Sequence, residues 1–430
     1  MTALARLRAS FCLLSLSSVV AMTSAAQAAD ETIAAGAYII NMAPATQTQD
    51  NQLKPYGLVR ELVVVDQIPV LWAIKTTKVK DGIDFTVGGI DYKSSAFIVT
   101  ADYASAAAAT ITTWTRTCTS QTRPKCGAVV SALTTTSFTA PVYKRITAFP
   151  NVVINIENAP IVERYLAAAG IPSDCSGSPV NPDTCGYSQA YPDALDSCDD
   201  AYSMPHSTPT WDLHQKLKEY VEGGGYLWAA CLAPNELENI DSPDNGSDPD
   251  MNFLSNRMFQ PDDTVDPVAP YTYDPAFAAH PIMQFLGDMD KAASFGAERV
   301  YLPTQAGWRS TTQVPAYDPN HSDLGTGNNE SPGRAATVVF GPAYGNAANG
   351  IVMYSGGHDY LQDGTAGFPY NVNQVSIQGV RSYLNFLLLA AVDKGLLVTT
   401  TIPNPIFSAG TYDVSAVAER GSGPGTYTYQ

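Results

Sequence analysis

The stretch 223–231, Gly-Gly-Gly-Tyr-Leu-Trp-Ala-Ala-Cys, constrains the fold of this chain most tightly. The apolar run that follows the glycines has no polar alternation, as expected of a central parallel strand covered on both faces. Before it, residues 208–222 read as a helix. Thr208 is placed to cap it, and Pro209 sits where a first helical residue tolerates proline. Leu213, Leu217 and Val221 recur every four residues and predict one buried face. The glycines end that helix, and 235–240 read as another after Pro234. Cys231 therefore falls at a sharp strand-to-helix turn, where several α/β enzymes hold a nucleophile.

The same alternation runs through most of the chain. Short apolar strands are predicted at 37–42, 69–74, 84–87, 96–100, 152–156, 201–204, 299–302, 336–340 and 351–354. Helices are predicted at 51–65, 158–169 and 375–393, and a helix broken near His280-Pro281 at 276–286. Asn158 is the expected N-cap of the second, with Gly170 past its end. The threonine-rich stretch 110–139 reads as a loop or a β excursion. Strands alternating with helices predict a doubly wound α/β domain with a mostly parallel sheet over 36–395. Sites in such sheets form at the C-terminal ends of strands. Pro205-His206, Cys231 and Gly357-His358 each follow a predicted strand and make one candidate constellation.

The last part differs. Residues 397–401 and Pro403-Asn404-Pro405 read as a linker. Residues 410–430 alternate in β fashion around a Gly/Ser/Pro turn, like two strands of an immunoglobulin- or PKD-like sandwich. Two strands are too few to fold alone. Either the natural chain continues past Gln430, the reading favoured here, or these strands pack on the main domain. The block 396–430 is read as linker and partial β segment.

Residues 1–28 carry Arg6 and Arg8, an apolar run over 11–22 and Ala26-Gln27-Ala28, the pattern of a cleavable signal peptide. No later stretch has the length of a membrane span. The chain is thus read as an exported bacterial protein, periplasmic or extracellular. Its net charge of −17 argues against nucleic acid and anionic membrane as partners and fits a soluble secreted protein. Cysteines beyond the signal segment are even in number, which predicts disulfides in an exported chain. Cys118/Cys126 and Cys175/Cys185 are close enough to close small loops. Cys198 and Cys231 remain. Cys231 is then a nucleophile, a half-cystine with Cys198, or a buried thiol that packs the core.

The acidic loop 241–250 offers Asp244, Asp248 and Asp250 as calcium ligands, the only cofactor suggested. It lacks the EF-hand spacing, and an ordinary solvated loop is the favoured reading. His358 is the candidate base for Cys231, and His206 a weaker candidate. His214 is expected on the surface, and His280 and His321 in structural or exposed positions. Glu236 and Glu238 follow the elbow and could face the site. Trp228 is expected in the core.

The segments 223–231 and 350–358 (Gly-Ile-Val-Met-Tyr-Ser-Gly-Gly-His) resemble the class I glutamine amidotransferase-like superfamily, and within it the ThuA-like branch. The first is similar to its glycine-strand-elbow segment, the second to the strand that delivers its histidine. The resemblance implies a flavodoxin-like three-layer α/β/α fold. Alanines 229 and 233 stand where the family's elbow has glycines, and Tyr360 where a glutamate follows the histidine. Losing that carboxylate implies no glutaminase activity. The favoured function is a non-catalytic surface or extracellular binding or structural module; the alternatives are a cysteine hydrolase of an amide or ester using Cys231 and His358, and a ThuA-like carbohydrate-binding protein. The partner expected is extracellular or on a cell surface.

Overall fold

The computed structural model describes residues 28–43, 51–118, 125–172, 185–241, 251–255, 258–259, 271–289, 301–303, 307–318, 335–357, 376–394, 396–401 and 415–420. The protein is a mixed α/β structure with a large mixed sheet and smaller antiparallel sheets.

The N-terminal strands form their own sheet. Strands β1 (Ala29–Ile33), β2 (Tyr38–Ile40) and β3 (Val70–Ala73) precede the hairpin β4 (Ile83–Val87) and β5 (Ile90–Lys93). Strands β6 (Ala96–Val99) and β7 (Phe138–Ile146) follow. Five of them pair antiparallel in the order β1-β7-β3-β6-β2. This corrects the expectation of a single, mostly parallel sheet. Short apolar runs look alike in sequence, and strand direction is set by the partner each run meets. One face packs on helices through Ile40, Trp72, Phe97 and Val99. The other packs on the β4–β5 hairpin through Leu71, Ile98, Phe85 and Tyr92.

Between these strands lie α1 (Lys54–Arg60), which continues as a π turn over Glu61–Val65, and α2 (Ala101–Trp114). Helix α2 takes up the start of the stretch read as loop. Its alanines favour helix, and Ala104, Ala107, Ile111 and Trp114 form one buried stripe. Thr112 and Thr113 return their hydroxyls to the carbonyls of Ala108 and Ala109, which neutralises their preference for non-helical backbone.

The large sheet begins with β8 (Val152–Ile154), α3 (Ala159–Ala169), β9 (Ser188–Gln189) and β10 (Ala201–Pro205). Helices α4 (Trp211–His214) and α5 (Lys216–Glu222) lead to β11 (Tyr226–Ala230) and α6 (Leu232–Asn239). Next come β12 (Met258–Phe259), β13 (Thr272–Tyr273), β14 (Leu302–Pro303), β15 (Gln313–Asp318), β16 (Ala335–Pro342) and β17 (Ile351–Ser355). Helix α7 (Ser376–Lys394) and the strands β18 (Leu396–Thr401) and β19 (Ser415–Arg420) complete the described chain. The order is β13-β15-β16-β17-β11-β10-β8-β9. Strands β9, β8, β10, β11 and β17 are parallel, and β16, β15 and β13 extend the sheet antiparallel. Of the predicted strand at 299–302, Leu302 belongs to β14, which pairs with β12, Tyr301 bridges Ala336 of β16, and 299–300 lie outside the described residues.

Both faces of this sheet are covered, which is why β8, β10 and β11 are buried throughout. On one side α7 places Tyr383 against Trp228 and Phe386 against Tyr226. On the other, Leu217 and Val221 of α5 pack with Tyr202, Leu227 and Ala229. The helix predicted over 208–222 starts later, at Trp211, and breaks at Gln215. Leu213 is exposed, and His214 is buried in its place. The Thr210 N–H donates to His214 Nδ1, and the buried face runs through His214, Leu217, Lys218 and Val221. Strand β18 pairs antiparallel with β19, so residues 397–401, read as linker, lie in a strand, while Pro403-Asn404-Pro405 lie outside the described residues. No helix among the described residues is long and apolar enough to cross a membrane.

Two glycines of the family-like segments are there for packing. A Cβ on Gly350 would lie 1.9 Å from the Gly225 carbonyl oxygen, and one on Gly225 would enter the Tyr220 ring. Gly350 also donates its N–H to Val221. Gly350→Ala is therefore expected to destabilise the fold by about 3 kcal/mol, read by urea denaturation. A second prediction concerns His280. It is half-buried, stacks 4.4 Å from Phe340, and the desolvation of its ring lowers its pKa to about 3. The unfolded chain takes up a proton below pH 6.5 that the folded chain refuses until about pH 3, so stability falls across that window as pH falls. His280→Gln should flatten that part of the stability–pH curve.

Candidate active site at the ends of β10 and β11

Strand β11 ends at Ala230, and Cys231 starts the turn into α6 with φ 57° and ψ −120°. A non-glycine residue there is strained, and strain of this kind persists only where the surroundings over-determine it. The surroundings are explicit. The Cys231 N–H bonds to the Ser355 carbonyl of β17 at 3.3 Å. Tyr301, fully buried, donates its hydroxyl to the carbonyls of both Cys231, at 3.1 Å, and Ser355, at 2.7 Å. Trp228 Nε1 donates to Ser355 Oγ and anchors the neighbouring strand from the other face.

His206 occupies the same level of the sheet, one residue past β10. It too has a left-handed backbone, φ 44°. Its N–H donates to the Ala230 carbonyl, and its carbonyl accepts from Asn158 Nδ2 at 2.6 Å. With both backbone groups held, the imidazole places Nδ1 3.2 Å from Cys231 Sγ. The expected N-cap role of Asn158 is thus replaced. It adopts φ 59°, does not cap α3 with its side chain, and ties β8 to the histidine turn. Beside it, Asn155 Nδ2 donates to Ser207 Oγ at 3.2 Å.

Cys231 and Cys198 form no disulfide with each other, so the half-cystine reading of Cys231 is overturned. Both are thiols, the first buried and the second exposed. Cys198 lies in the loop before β10 and Cys231 beyond the far end of β11, so the sheet holds them apart. Cys118–Cys126 is a disulfide as expected, and Cys185 is disulfide-bonded to a partner outside the described residues. His358 and His321 lie outside the described residues, as do Asp244, Asp248 and Asp250. His214, expected on the surface, is buried, and burial lowers its pKa.

Glu238 is the candidate carboxylate that the structure resolves most sharply. It is buried and accepts the N–H groups of Leu254 and Ser255 at 2.9 Å, Ser255 Oγ at 2.7 Å, and the Tyr354 hydroxyl. Burial raises its pKa against the lowering effect of those bonds. Glu238 therefore locks α6 onto β17 and the 251–255 segment. Glu236 is half-buried on the same helix. Tyr301 had no signal in the sequence; it reaches the elbow only through tertiary contact.

Among the described residues no three His, Cys, Asp or Glu side chains gather to hold a metal. A cleft of about 340 Å³ lies at the start of β8, lined by Arg60, Asn151, Tyr187 and Asp199. It sits at the end of the sheet opposite to Cys231. No protein-family model matches this chain, and no curated protein matches it.

The strain at Cys231 has a measurable signature. Glycine is ordinarily less stable than alanine by a few tenths to 1 kcal/mol. At φ 57° and ψ −120° the order should reverse, with Cys231→Gly more stable than Cys231→Ala by about 1 kcal/mol in chemical denaturation.

Proposed function

We propose that this chain is a cysteine-dependent acyl hydrolase, with Cys231 as nucleophile and His206 as its base. The observation that carries the reading is the 3.2 Å approach of His206 Nδ1 to a thiol held at a strained strand-to-helix turn. A thiol at a helix N-terminus beside an imidazole is the arrangement that favours the nucleophilic thiolate. The sulfur attacks the carbonyl of an amide or ester while its proton passes to His206. The C–S bond forms, the amine or alcohol leaves with that proton, and water activated by His206 then cleaves the thioester and restores the thiol. The first N–H groups of α6, at Leu232 and Ala233, have no acceptor within the helix and supply donors for the oxyanion. His206 takes the role that the sequence reading gave to His358.

The strand order supports a flavodoxin-like scaffold. Numbered by chain order, β9-β8-β10-β11-β17 reads 2-1-3-4-5. The order reverses between β8 and β10, where Asn155, Asn158 and His206 stand. The paired glycines at 225 and 350 support the likeness to the glutamine amidotransferase-like superfamily. Export, and an extracellular or periplasmic site of action, belong to the same proposal.

One observation favours the second reading, a non-catalytic extracellular module of ThuA-like, carbohydrate-binding type: Cys231 is fully buried. Iodoacetamide labelling without reductant, mapped by peptide mass spectrometry, separates the two. Cys198 is exposed and serves as the internal control. The hydrolase reading expects Cys231 to label as well. It also expects thiol-dependent hydrolysis of p-nitrophenyl acetate that drops about 100-fold in His206→Ala. An unlabelled Cys231, no turnover, and glycan binding unchanged in Cys231→Ala would establish the binding module instead.

A further inference from the structure

The residues that hold the His206 turn come from one short segment. Past β8 the chain runs Asn155-Ile156-Glu157-Asn158, and past β10 it runs His206-Ser207-Thr208. Each of these last three residues is held by a different side chain of the first segment. Asn158 Nδ2 donates to the His206 carbonyl at 2.6 Å, and Asn155 Nδ2 donates to Ser207 Oγ at 3.2 Å. The Thr208 N–H donates to Glu157 Oε2 at 3.2 Å. The holding segment is itself fixed. Asn155, fully buried, accepts the Glu157 N–H at 3.1 Å and donates its own N–H to the Ser203 carbonyl of β10 at 2.9 Å. A histidine at φ 44° returns to ordinary backbone unless such contacts over-determine it. Asn158 stands at φ 59°, a conformation that asparagine adopts more readily than most residues.

The ring atom that faces the thiol gives this backbone clamp its consequence. His206 meets Cys231 Sγ through Nδ1. To take the thiol proton there, the neutral imidazole carries its own proton on Nε2. Nδ1 is the ring nitrogen nearer the main chain, so its place follows the backbone at 206 closely. A shift of that backbone moves Nδ1 off the sulfur, and misplacement by about 1 Å costs a large part of a rate. We infer that Asn158 is the positioning residue of the site, resting on the hydrolase reading in which His206 takes the Cys231 proton. It acts on the base through the His206 main-chain carbonyl. Asn155 and Glu157 hold the next two residues, so the turn is fixed at three successive points.

Asn158→Gly separates positioning from folding. Glycine adopts φ 59° without strain, so Tm is expected to stay within about 3 °C of the natural chain while the donor to His206 is lost. The readout is the rate of iodoacetamide alkylation at Cys231 as a function of pH. In the natural chain alkylation is expected to persist at about pH 6, below the range of an unassisted thiol. In Asn158→Gly it is expected to fall about 10-fold at that pH and to recover by about pH 10, following the profile of His206→Ala. The kcat/KM for p-nitrophenyl acetate should fall about 10-fold with it. Asn158→Asp keeps the shape but sets an acceptor against the His206 carbonyl. It should move the profile at least as far, which covers the case in which the glycine variant does not fold. Folded variants that keep the natural profile and turnover, or that lose Tm alone, would overturn the role of Asn158 and leave the hydrolase standing. No alkylation of Cys231 in the natural chain at any pH, with no thiol-dependent turnover, would instead remove the hydrolase reading beneath it.

Discussion

Helix α7 is buried along nearly its whole length between the two sheets, and the position of everything else depends on that burial. One side of it meets the large sheet, where Tyr383 shares a hydrogen bond with Ser203 and packs on Trp228. The other side meets the N-terminal layer, where Asn385 accepts the Tyr56 hydroxyl and Arg381 donates to the Ser94 carbonyl. A helix with apolar residues all round can only be an interior helix. Among its polar side chains, Arg381 and Asn385 both donate to the Gln284 carbonyl. Those bonds give the helix one axial position and one rotation. Through Trp228 and Ser203 that position is passed to β10 and β11, whose far ends carry His206 and Cys231.

At those ends the backbone leaves its ordinary range repeatedly. Asn158, His206 and Cys231 each have positive φ, as does Gly357 after β17. A strand that must stop and turn sharply across the edge of the sheet exposes backbone groups, and here those groups bond across strands. His206 bonds to Ala230, Asn158 to His206, and Cys231 to Ser355. The strain is thereby shared by a lattice of neighbouring strands. Glu238 and Tyr301 fasten the remaining side, so the cysteine cannot relax without breaking several buried hydrogen bonds. Rigidity of this kind is what positions a nucleophile against its base.

Much of the large sheet was legible in the chain itself. The run 226–230 declares a strand covered on both faces, and it is one. The helix of α7, the strands β10, β16 and β17, and the elbow position of Cys231 follow from the same patterns. Helix α2 was missed because its threonines suggested β structure, while alanine spacing and back-bonded hydroxyls make it helical. Leu213 and His214 exchange places where the helix breaks at Gln215, with His214 held at its Nδ1 by the Thr210 N–H. The partition into two sheets was not legible, because no local residue encodes the direction of a neighbouring strand.

The candidate site divides in the same way. Sequence alone determined that a cysteine ends a buried strand, that a histidine ends its neighbour, and that glycines open the segments 223–231 and 350–358. Those are local matters of polarity and backbone freedom. Only the tertiary structure decided that Cys231 meets His206 and not Cys198, and that Tyr301 and Glu238 hold the elbow. Each of these depends on which strands become neighbours and how helices rotate against them. That is set by packing across residues far apart in the chain, where sequence spacing carries no information.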